Sequence, residues 1–160
     1  TTRTNRIMAD LTVNINENIT LNNQVIESSD TKTITGIGEI SKRILTITTN
    51  EAEIATFSGA VASSGHYNDS AVRYIRFTNL DSTNHITLTF RNNANDEVAI
   101  KLDAKNSFML YADNDAGMVG VFNATQAADA ASDTALGSLT NIQADAGAST
   151  CDLEMFIAST

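Results

Sequence analysis

Between Arg73 and Arg91 the chain reads RYIRFTNLDSTNHITLTFR, and its large apolar residues recur at every second position. Ile75 and Phe77 fall on one side of an extended backbone, with Tyr74, Arg76 and Thr78 on the other. Ile86, Leu88 and Phe90 alternate in the same way with Thr87, Thr89 and Arg91. Successive side chains leave a pleated strand on opposite faces, so a period of two marks a strand buried on one side only. The connecting Asn79–Asn84 segment, NLDSTN, consists of short polar side chains that bond their own backbone, which predicts a tight hairpin turn between the two strands.

The same texture runs through the rest of the chain. Leu11, Val13 and Ile15 alternate with polar residues, and Ile19 and Leu21 resume the pattern before a break at Asn22-Asn23. Thr31–Ile34, Ile40–Thr48, Glu53–Phe57, Val98–Leu102, Phe108–Leu110, Met118–Phe122, Leu139–Ala144 and Asp152–Ala158 read as further strands, and Ala60–Ser70 as a loop. This gives roughly nine to eleven short strands at the spacing of a sandwich or barrel. Proline is absent, so the turns must be built from Asn, Asp, Ser and Gly. Ala124–Ala135 is rich in Ala without a stripe of large apolar residues, which fits one or two helical turns or a loop equally. With 160 residues and no internal repeat, the expectation is an N-terminal arm over 1–10 and one all-β domain over 11–160. A single antiparallel β-sandwich is the expected architecture, and a jelly roll is its common elaboration at this strand number.

Charge narrows the partners. A formal net charge of −9 opposes direct nucleic-acid binding, which needs Lys and Arg to displace phosphate counterions. No run of 18 apolar residues and no signal-peptide core occurs in these residues, so no membrane partner is expected. The single Cys151 excludes an internal disulfide.

Chemistry has no local signature. His66 and His85 lack neighbours at metal-ligand spacing, and no GxSxG elbow is present. Asp113–Gly117 resembles the start of a calcium loop but has Gly117 at the fifth position and Ala124 at the twelfth, where oxygen ligands belong. Asp96 and Glu97 are adjacent and would point apart on a strand. No catalytic, cofactor or metal residue is therefore assigned, and no enzymatic activity is expected. Arg73, Arg76 and Arg91 gather on the expected hairpin, where they would pair with acids across strands or form interface contacts. Leu11, Val13 and Ile15 are the expected donor strand if an arm pairs with the sheet edge of a neighbouring copy.

The run Ala71–Leu102, AVRYIRFTNLDSTNHITLTFRNNANDEVAIKL, resembles a family of small virion structural proteins of tailed phages that infect marine bacteria, cyanobacteria among them. Met8–Leu21, Ile37–Thr48 and Asp152–Ser159 are similar to other blocks of that family, so the resemblance spans most of the chain. Thr1–Ile7 lies outside it, and is expected to be a processed end, a tag remnant or an extension held only by a neighbouring subunit. The resemblance implies a multi-copy β-sandwich on the outer capsid surface. Its role would be that of a decoration or cement protein that binds the major capsid protein, with a trimer as the expected homo-oligomer. A tail or appendage component, or a receptor- or carbohydrate-binding module, is the alternative.

Overall fold

The computed structural model describes residues 8–61, 63–112 and 139–160. They form eleven strands: β1 (Ala9–Leu21), β2 (Gln24–Ile37), β3 (Glu39–Ile47), β4 (Ala52–Ser58), β5 (His66–Asn68), β6 (Val72–Asn79), β7 (Ile86–Asn92), β8 (Glu97–Leu102), β9 (Ser107–Tyr111), β10 (Leu139–Ala146) and β11 (Cys151–Ser159). Two sheets face one another, one ordered β3-β11-β6-β9 and the other β5-β4-β10-β7-β8. A two-stranded ribbon, β1-β2, forms a third layer. Every pairing is antiparallel except β4 with β5. The fold is thus the all-β sandwich that the alternation predicts. The calcium-like Asp113–Gly117 segment, the Met118–Phe122 strand and the Ala-rich Ala124–Ala135 stretch lie outside the described residues, as does Thr1–Ile7.

The inward faces are those read from the period of two. Ile75 and Phe77 on β6, Ile86, Leu88 and Phe90 on β7, and Leu153, Met155 and Ile157 on β11 are essentially inaccessible to solvent. Phe77 and Phe90 meet edge to face with ring centroids 6.4 Å apart, and Phe108 adds a second edge-on contact to Phe90 at 5.9 Å. Such geometry sets the positive ring edge against the negative face of its neighbour. Irregular register at Leu139/Asn141 on β10 allows Leu139, Ile142, Ala144 and Ala146 all to reach the core despite their uneven spacing.

One expectation is overturned here. Strands β6 and β7 are not a hairpin: β6 pairs with β11 and β9, whereas β7 pairs with β10 and β8 in the opposite sheet. The Asn79–Asn84 segment is an arch that carries the chain from one sheet to the other. Its polar side chains fold it as expected, since the Asp81 carboxylate accepts from the backbone N–H groups of Thr83 (2.7 Å) and Asn84 (2.6 Å). What makes it an arch is Asn79, which is fully buried. Its Nδ2 donates to the carbonyls of Asn84 (2.8 Å) and Leu102 (3.1 Å), and its Oδ1 accepts from the N–H of Asp81 (3.0 Å). Leu102 belongs to β8, so the side chain ties the end of one sheet to an edge strand of the other.

A consequence is that the three arginines do not cluster. Arg76 projects from the outer face of the four-stranded sheet, while Arg91 projects from the outer face of the five-stranded sheet, where it pairs with Glu97 across the β7–β8 register. Arg73 donates to the carbonyl of Ser70 at 2.6 Å. Within Ala60–Ser70, read as a loop, residues His66–Asn68 form β5 through parallel pairing with Thr56–Ser58. Strand β1 also runs unbroken through residues 10 and 11, where the arm was expected to end, and the whole Ala9–Ile37 hairpin stands outside the two sheets.

Candidate assembly surface

The β1–β2 hairpin turns at Asn22-Asn23, both with positive φ (51° and 62°), as a two-residue turn matched to the right-handed strand twist requires. Asn tolerates this left-handed region better than most residues, so the dipeptide fixes the register. Gln24–Asp30 has little strand pattern of its own and becomes extended because β1 templates it, from Leu21↔Gln24 to Ile15↔Asp30. At the other end the register shifts between Ala9 and Leu11, opposite Gly36, whose φ of 75° is one that L side chains rarely adopt.

The two faces of this ribbon differ. One is a polar ladder: Thr31 Oγ1 donates to Asn14 Oδ1 (2.9 Å), Ser29 Oγ to Asn16 Oδ1 (2.9 Å), and Asn18 Nδ2 to Glu27 Oε1 (2.7 Å). The other carries Leu11, Val13, Ile15, Ile19 and Leu21 on β1, with Ile34 and Ile26 across from them on β2. A lone two-stranded hairpin is marginally stable in water, so such a ribbon must dock to persist.

Its proximal half docks on its own subunit. Leu11 and Val13 pack with Ile34, Ile37, Tyr74, Ala158, Met109 and Phe156 in a small second core on the outer face of the four-stranded sheet. Tyr74 and Phe156 meet edge to face at 5.9 Å, and the Arg76 guanidinium carbon lies 6.0 Å from the centre of the Phe156 ring. Burial pushes the Tyr74 phenol up, with Arg76 opposing that shift. Glu154 takes two cations at once, Arg76 at 2.5 Å and Lys42 at 3.1 Å. Leu11, Val13 and Ile15, expected as a free donor strand, are therefore already paired to β2 through Ile34, Lys32 and Asp30.

The distal half has no such cover. Ile19, Leu21 and Ile26 are 55%, 58% and 57% exposed on the apolar face. A second uncovered strip lies beside the docked half: Ile40 and Ile44 of β3 are 57% and 62% exposed on the outer face, flanking Lys42. The sequence marks Ile40–Thr48 as one strand and does not separate these isoleucines from the half-buried Leu45 and buried Ile47 on its other face. Apolar residues occupy both faces of β3, so alternation could not say which face was outward.

Elsewhere, a cleft of about 320 Å³ opens between β3 and the β4–β5 edge, lined by Arg43, Glu53, Thr56, Ser64 and His66 among others. Arg43 Nη1 is buried there without a hydrogen-bond partner, 3.3 Å from the place a Cβ on Gly65 would take. Among the described residues, no three of the His, Cys, Asp and Glu side chains lie close enough to hold a metal ion. Cys151 is buried and its Sγ donates to the Ser149 carbonyl at 3.2 Å; burial pushes the thiol up. No helix among the described residues is long and apolar enough to cross a membrane. Compared with family models, with curated proteins and with solved structures, the chain finds no match.

Proposed function

We propose that this chain is a non-enzymatic structural protein of a virion, a decoration protein that sits on the outer capsid surface, binds the major capsid protein and stabilises the head. The observation that carries the reading is the hairpin whose apolar face continues past its own sheet, because a surface of that kind contributes to binding a partner. A protein that works by adhesion in many copies can rely on modest individual contacts, since simultaneous engagement multiplies them.

The strand order supports the same reading by fold-level analogy. Leaving β5 aside, the sheets run β3-β11-β6-β9 and β4-β10-β7-β8, and the chain changes sheet at every connection from β3 to β11 except that between β7 and β8. This order supports reading the sandwich as two interlocked Greek keys, the jelly roll used by many viral capsid domains. The net charge of −9 suits an exterior crowded with like copies, which repel at long range and stay soluble.

The test is to image purified particles with the protein labelled, and to compare the heat resistance of particles with and without it. Regular density on the head and a lower rupture temperature for stripped particles are expected. Density confined to the tail would make it an appendage component instead, and full heat resistance of stripped heads would remove the stabilising role.

A further inference from the structure

We infer that the distal half of the β1–β2 hairpin seats on the outer face of β3 in a second copy of this chain, so that copies join head to tail. The inference rests on the assembly reading above but concerns the isolated protein, so its test does not depend on any particle.

Among the described residues, two apolar strips stand uncovered, one on the ribbon and one on β3. The donor is the projecting ribbon Ile15–Leu21 and Gln24–Asp30, seven residues of each strand and roughly 23 Å long at about 3.3 Å per residue. Its apolar face offers Ile19, Leu21 and Ile26. The acceptor is Ile40 and Ile44 on β3. It continues the sheet face on which the proximal hairpin already lies, since Ile40 is in register with Ala158, and Lys42 with Phe156. The neighbour's ribbon would lie beside the resident one, repeating on β3 the packing that Leu11 and Val13 make over β11 and β6.

Charge matches the pairing. On the face that bears Ile19, Leu21 and Ile26, the projecting ribbon carries Glu17 and Asp30 and no Lys or Arg. On the acceptor face the exposed Lys42 stands between Ile40 and Ile44 and reaches Glu154 at 3.1 Å, while Asp152 lies at the far end of the strip, opposite Thr46. A capsid surface is the competing occupant, but this face already presents apolar and cationic groups in the right order on the chain itself. The contact joins two different patches, so it is heterologous and repeats from copy to copy, closing into a ring where the rotation allows.

The test uses sedimentation velocity on the full chain and two variants whose substitutions lie outside both cores, Ile19→Asp/Ile26→Asp on the ribbon and Ile40→Asp/Ile44→Asp on the acceptor. The wild type is expected to associate and each variant to be monomeric, association falling by roughly tenfold or more for each large apolar side chain withdrawn from the contact. Mixed together, the variants are expected to form a 1:1 pair, because one keeps its ribbon and the other its acceptor face. As an independent readout, mixing an Ile26→Cys chain with an Ile44→Cys chain under mild oxidation should give the mixed disulfide; Cys151 is buried and does not compete. A wild type that is monomeric at its solubility limit, a ribbon variant that still assembles with an unchanged thermal melt, or a disulfide only between two Ile26→Cys chains would each overturn the proposal.

Discussion

Replacing Asn79 by Leu tests whether one buried amide holds the arch between the sheets. Leu has nearly the same shape as Asn, so the change opens little cavity and isolates the polar loss. Three groups lose their partner: the carbonyls of Asn84 and Leu102, and the N–H of Asp81. The Asn79–Leu102 bond is buried, so the Leu102 carbonyl is stranded and costs about 1–3 kcal/mol. The other two bonds are only partly buried, and water can replace the amide at about 0.5–1.5 kcal/mol each. The sum is centred on about 4 kcal/mol, or a fall in Tm of roughly 8–16 °C for a domain of this size. Urea unfolding measures the free energy through the midpoint at constant m, and calorimetry measures Tm. Asn79→Asp sharpens the test: its carboxylate still accepts from Asp81 N–H but faces two carbonyls without a proton. Such a buried acid has a raised folded pKa, so the variant should regain stability as pH falls, when one carboxyl proton can donate again. If Asn79→Leu unfolds within about 0.5 kcal/mol of wild type, ordinary for a surface substitution, the arch is held by something else and the reasoning fails.

Phe90→Ala should cost about 3–5 kcal/mol, since the ring is fully buried between Phe77 and Phe108, and a denaturant midpoint lowered at unchanged m would show it. Gly147→Ala should destabilise by about 1–3 kcal/mol because a Cβ there would clash with the His85 imidazole, most closely at its Cε1; adding His85→Ala should restore most of the loss, which a double-mutant cycle reads directly. The Asp81 carboxyl is held below its ordinary 3.8 by the N–H groups of Asn84 and Thr83. A depressed folded pKa gives stability that is complete above 3.8 and lost as pH falls through the folded value. The stability gap between wild type and Asp81→Ala should therefore narrow below pH 3.8, and equilibrium unfolding across acid pH checks it.

The alternation of Ile75 and Phe77, and of Ile86, Leu88 and Phe90, located both strands and the faces they bury, because side-chain direction in a strand is a local property of the backbone. The same residues could not say that β6 and β7 belong to different sheets. A polar six-residue connection suits a hairpin and an arch alike, and the choice lies with Asn79 meeting a carbonyl 23 residues away. Pairing Arg73, Arg76 and Arg91 into one patch failed for that reason: once the strands separate, Arg76 and Arg91 lie on opposite sides of the molecule. On the ribbon, Leu11–Leu21 announced an apolar face, but its division into a docked half and a bare half depends on where Tyr74 and Phe156 stand.

Local chemistry alone, then, decided that this chain is built of strands, which side chains point inward in most of them, and where left-handed turns such as Asn22-Asn23 can form. Those features depend on neighbours within a few residues, and they survive any rearrangement of the sheets. Strand partners, the arch, and the exposure of Ile19, Leu21, Ile26, Ile40 and Ile44 arose only when distant segments met, because hydrophobic burial has no direction of its own and takes its geometry from the surface it finds.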